Sequence, residues 1–178
     1  MNLDSGPGGP YGGPAWGGRG CTPGESSIKQ QIAFVSSLPA EHYHQLEALL
    51  FFNERQDRVR HGIQTAIDRY GSPEIVVDGK SLRVRVTGPS EAQCLFAIER
   101  EGNVSRPVGV ILYVRDSFER ITVLHLVVAG AYAAGGPRAK YNLLLRLVQA
   151  VKRVARCTSG IRHVELLYSQ NRPRAAYA

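Results

Sequence analysis

Residues 121–168 read ITVLHLVVAGAYAAGGPRAKYNLLLRLVQAVKRVARCTSGIRHVELLY, and their reading decides the fold. Ile121 to Val128 are mostly β-branched and aliphatic, which predicts a strand long enough to be buried. The run AGAYAAGG (129–136) predicts a turn, the stretch after Pro137 a long helix, and IRHVELLY (161–168) a second strand. Strand, Gly-rich turn, helix and strand make a βαβ unit. The N–H groups opening its helix face the C-terminal end of the sheet, where a phosphate or similar anion can be held.

The helix is read from its spacing. Leu144, Leu147, Val148, Val151, Val154 and Ala155 recur every three or four residues and predict one apolar stripe. Asn142, Arg146, Gln149, Arg153 and Arg156 predict the polar face. Pro137 suits the first turn, where its missing N–H costs nothing, and Gly160 lies near where a left-handed cap is needed.

The chain of 178 residues is one domain's worth, with 43% apolar residues for a core. Its net charge of +7 is uneven: nine Lys or Arg lie between Arg138 and Ala178, against Glu165 alone. Such a field favours polyanions or phosphorylated ligands, although a single basic helix face is usually just solvated. Cys21, Cys94 and Cys157 are widely spaced and form neither a metal motif nor a disulfide framework. With no signal-peptide pattern and no run long enough to span a bilayer, a cytoplasmic protein is expected.

Residues 1–25, rich in Pro and Gly, predict a disordered tail, and 26–178 a single domain. A short strand at Ile32–Val35 leads to a helical stretch with Leu46, Leu49 and Leu50 on one side. A second run, bent from the first or separate, has Val59, Ile63, Ala66, Ile67 and Tyr70 on one face. His42, His44 and His61 read as surface or interface histidines. From Glu74 the period becomes two: EIVV-DG-KSLRVRV predicts a hairpin turning at Asp78-Gly79. Strands at 93–100, 106–116 and 121–128 follow through short turns and predict an antiparallel meander. The expected fold is α/β, with a mixed, mostly antiparallel sheet and flanking helices.

The strand LFAIEREGN, the strand PVGVILYV with its early glycine, and the long strand with its turn together resemble the GNAT superfamily of acyl-CoA-dependent N-acyltransferases. The resemblance covers residues 95–177 and rests mainly on element order. In that family the turn commonly reads V-x-P-x-Y-R-x-x-G-x-G, and its amides bind the coenzyme A pyrophosphate. Val128, Tyr132 and Gly136 stand in register; Gly130 replaces the usual proline, Ala133 the usual Arg or Gln, and Arg138 the last glycine. The resemblance implies acetyl-CoA or another acyl-CoA as co-substrate and an amine acceptor that the sequence does not identify. It stops before the family's final hairpin. The acceptor wall is then open, completed by the hairpin Ile75–Val86, or supplied by a second subunit of a homodimer.

The turn also has its own chemistry. Gly135 and Gly136 permit φ > 0 and close approach of backbone to ligand. Arg138 and Lys140 add positive charge at the helix start, which an anion would neutralise. Acyl transfer to an amine needs a base for the ammonium and an acid for the leaving thiolate. His125 in mid-strand is one candidate base, and equally a satisfied core histidine; Glu99 is the alternative. Tyr177, following Asn171 and Ala175 much as in the family's N-x-x-A…Y run, is the candidate acid, with Tyr168 in reserve. Two rival readings stand beside the acyltransferase. One is a non-catalytic GNAT-like protein serving protein contacts. The other is a basic nucleic-acid-binding module using Arg146, Arg153, Arg156, Arg172 and Arg174.

Overall fold

The computed structural model describes residues 31–51 and 59–167. The expected tail and both candidate acids, Tyr168 and Tyr177, lie outside them. A five-stranded sheet has the order β1 (Gln31–Val35), β5 (Ala92–Glu101), β6 (Val104–Ser117), β7 (Arg120–Val128), β8 (His163–Leu166). Its pairs are antiparallel except β7–β8, which run parallel, Arg120 facing His163 and Val123 facing Leu166. The parallel pair is joined through helix α3 (Leu143–Cys157), as the βαβ reading requires. The fold is α/β with a mixed, mostly antiparallel sheet.

The hairpin forms where expected, as β3 (Pro73–Asp78) and β4 (Ser81–Val86), with Gly79 at φ 60. It does not extend the meander. β4 pairs instead with the two-residue strand β2 (Leu38–Pro39), making a separate three-stranded sheet in the order β2-β4-β3. The edge of β5 is taken by β1 over Gln31↔Arg100 to Val35↔Phe96, which leaves no slot for β4 there. β4 turns Leu82, Val84 and Val86 inward, onto the same core as Leu46, Leu49 and Leu50 of α1 (Tyr43–Phe51) and Ala66 and Tyr70 of α2 (Arg60–Tyr70). This core covers one face of the large sheet. The other face is covered by α3 and the loop before it, with Ala97, Ile111, Val123, Val128, Leu147 and Val151 inside.

Helix α3 starts six residues after Pro137, the residue expected in its first turn. One short 3-10 turn, Ala139–Tyr141, lies in the interval, another, Gly130–Tyr132, precedes Pro137, and Asn142 at φ 48 sets the helix direction. The buried stripe is Leu143, Leu147, Ala150, Val151 and Ala155; Leu144, expected within it, is exposed. The late start explains the difference, because Leu143 is the first residue turned onto the sheet. Gly160, at φ +86, leaves room for Phe118, whose ring would lie 2.5 Å from an added Cβ.

His42 is buried, not a surface histidine: its Nδ1 lies 3.0 Å from Gln45 Oε1 and its Nε2 3.3 Å from Ser105 Oγ. His44 and His61 are exposed as expected. No described helix is long and apolar enough to cross a membrane.

Candidate functional site

The loop from β7 to α3 is built mainly from its own backbone. Gly136 N–H donates to Ala133 C=O (2.8 Å), Arg138 N–H to Ala131 C=O (2.8 Å) and Ala139 N–H to Gly136 C=O (3.1 Å). Two of the amides that the Gly-rich reading offers to a phosphate are thus engaged inside the loop. Gly135 uses its freedom at φ +80. Gly136 is needed for a different reason: a Cβ there would lie 2.4 Å from the carbonyl oxygens of Gly130 and Ala131. Its smallness lets the loop close on itself, and a bulkier residue there would break the loop directly.

Under the loop sits Glu99, almost fully buried. On β5, Cys94, Phe96 and Ile98 face the α1/α2 core, so alternation turns Glu99 the other way, with Ala97. Tyr132 OH donates to its Oε1 (2.6 Å), Arg106 Nε to its Oε2 (2.5 Å), and Arg138 pairs with Oε1. Burial by itself would raise the Glu99 carboxyl. The Tyr132 and Arg106 hydrogen bonds and the two guanidinium charges outweigh that, and hold it below the ordinary carboxylate range. Burial and the Glu99 bond push the Tyr132 phenol up. The cluster is an ionised carboxylate clamped by two arginines, and it ties the β7–α3 loop to β5 and β6. Beside it, Glu99, Glu101, Val104 and Arg106 line a cavity of ≈ 190 Å³.

His125 lies on the opposite face. Leu112 faces His125 while Tyr113 faces Val123, so Leu124 is an extra residue in β7. This bulge resets the alternation, and Leu124 and His125 both point to the α2 side. There they line an apolar cavity with Ile63, Ala66 and Ile67. Burial lowers the imidazole to about 4, so it is neutral near pH 7. The two candidate bases are separated by the sheet.

Of the remaining expected site residues, Val128 is buried at the end of β7, and Lys140 lies over the Tyr141 ring at 5.6 Å. At the opening of α3, Asn142 makes no side-chain cap, and Arg146 N–H is the first to bond back, to Asn142 C=O (3.0 Å). The amides of Leu143, Leu144 and Leu145 have no acceptor within the helix. No acidic residue stands in that turn, and Leu144 and Leu145 are exposed. Among the described residues, no three His, Cys, Asp or Glu converge to hold a metal.

Sequence reading named Glu99, Tyr132 and Arg138 separately but missed Arg106, which completes the clamp. The available signal was Glu99 itself, an acidic residue in the inward register of an apolar strand. Also missed was Asp116, which receives Arg69 (3.3 Å), Tyr70 OH (3.1 Å) and Arg120 (2.6 Å), joining α2 to β6 and β7. The clamp can be tested by stranding its carboxylate. The Arg106→Ala/Arg138→Ala double variant should lower Tm by several degrees, because a buried charge without a partner is strongly unfavourable. Adding Glu99→Gln should recover most of the loss, since a neutral amide needs no counter-charge. No recovery would show that the arginines act through packing.

Comparison of the chain with protein-family models, curated proteins and solved structures finds no match.

Proposed function

We propose that the protein is a GNAT-type N-acyltransferase that takes acetyl-CoA or another acyl-CoA and holds its pyrophosphate at the opening of α3. The observation that carries this reading is the β7–α3–β8 unit. A loop leaves the C-terminal end of the parallel pair and enters a helix whose first-turn amides lack an intrahelical acceptor. Phosphate oxygens accept hydrogen bonds from such amides and are favoured by the helix dipole. In the transfer, the amine nitrogen attacks the thioester carbonyl, the C–N bond forms, the C–S bond breaks, and the thiolate takes up a proton. Holding amine and thioester together supplies a large part of the rate. Neither Glu99 nor His125 has the proton affinity of a general base near pH 7, so the amine would enter neutral and release its proton to water.

The same two carboxyl and imidazole environments favour a second reading, a GNAT-like protein without catalysis that serves protein contacts. Calorimetry with acetyl-CoA and coenzyme A, alongside thiol release with an amine panel, separates the two. Leu145→Glu sharpens the test. An acidic first-turn residue stabilises a helix by about 0.3–1 kcal/mol but repels a pyrophosphate. The variant should therefore fold as well as wild type and bind acyl-CoA about tenfold more weakly, a difference of about 1.4 kcal/mol. Binding with thiol release supports the transferase. No binding at millimolar acyl-CoA ends it and leaves the second reading.

A further inference from the structure

Helix α3 carries Arg146, Lys152, Arg153 and Arg156 and no acidic residue. Several cations on other elements are matched to carboxylates: Arg69 and Arg120 to Asp116, Arg83 to Asp78, Arg85 to Glu74, Arg162 to Glu119. On α3 none of the four meets a carboxylate among the described residues, and Arg146 lies instead over the Phe34 ring at 5.4 Å. Gln149, Lys152, Arg153 and Arg156 are exposed and share the side of the helix turned away from the sheet. Lys152 and Arg156 stand four residues apart, about 6 Å along the axis. Like charges at that spacing repel each other, and a helix left this way is stabilised by an anion laid along it.

We infer that this face binds the phosphate backbone of a nucleic-acid duplex, by charge and without reading bases. The partner follows from what the face offers. A helix that lies in a bilayer interface needs an apolar face free for lipid, but that of α3 is packed on the sheet, and the exposed leucines 144 and 145 lie in the first turn, away from the three clustered cations. A single strand is held by aromatic side chains set among the cations, and α3 has none. A duplex presents one charge per about 1.7 Å of axis, dense enough to meet a row of cations on a straight helix. The inference is independent of acyl-CoA binding, and its readout is separate.

The test is fluorescence anisotropy of the full chain with a labelled random duplex of about 20 base pairs, titrated from about 50 mM salt upward. Binding is expected with Kd of about 10⁻⁴ to 10⁻⁶ M, and log K should fall with log salt at a slope of about −3, for three phosphates. Lys152→Glu/Arg153→Glu/Arg156→Glu should weaken binding by at least about tenfold and flatten the salt dependence. The corresponding triple Gln variant serves if acidic residues at the helix C-terminus impair folding. Arg83→Glu/Arg85→Glu, which reverses cations already paired on β4, should weaken binding much less. Absence of wild-type binding, a triple variant that binds like wild type, an equal loss in the β4 control, or capture by phosphatidylserine vesicles but not by the duplex would each overturn the assignment.

Discussion

Leu147→Ala should destabilise the protein by about 2–5 kcal/mol, read from the midpoint of urea unfolding. Leu147 is fully buried and stands in the core shared by α3, β6 and β7. Its position is set by Gly109 on β6: a Cβ there would lie 3.0 Å from Leu147 Cδ1, 3.3 Å from Val128 and 3.4 Å from Ala97. The helix therefore seats on a strand position with no side chain, and Gly109→Ala should cost about 1–3 kcal/mol by overpacking. The two changes should not add. The cavity left by Leu147→Ala is where the Gly109→Ala methyl would go, so the double variant should lose less than the sum of the singles. Full additivity would mean that α3 shifts off the sheet instead of leaving a cavity.

Much of this arrangement is legible in the sequence, because its causes are local. ITVLHLVV is a strand, the three- and four-residue spacing after Asn142 is a helix, and LRVRV alternates with Leu82, Val84 and Val86 buried and Arg83 and Arg85 exposed. What the sequence conceals is non-local. Nothing in QIAFV says that it, and not the hairpin, takes the free edge of β5. The phase of α3 depends on Asn142 adopting a left-handed conformation, which moves Leu143 inward and Leu144 outward. The candidate site is less legible still. Tyr132 and Arg138 from the loop and Arg106 from β6 converge on Glu99 of β5, and only the fold brings them together. Strict alternation along β7 would have put His125 on the face of Glu99. One extra residue, Leu124, sends it to the other side.

His125 should make the protein lose about 3 kcal/mol of stability between pH 6.5 and pH 4, measured as urea midpoints across that range. The imidazole is lowered from 6.5 to about 4 because burial between β7 and α2 disfavours its charged form. In the unfolded chain it takes up a proton near its ordinary value. Below pH 6.5 the unfolded state therefore binds more protons than the native state, and stability falls with pH until the folded value is passed. The window identifies the group. Glu99 and Asp116 are held below their ordinary values, so the stability they contribute is present above those values and is lost only at lower pH. His125→Gln removes the titration but keeps a polar side chain of similar reach. It should flatten the profile between pH 6.5 and 4.5 and leave the steeper acid loss below pH 4 in place. A wild-type profile already flat through the first window would mean that His125 is protonated in the native state, and that α2 does not close over it.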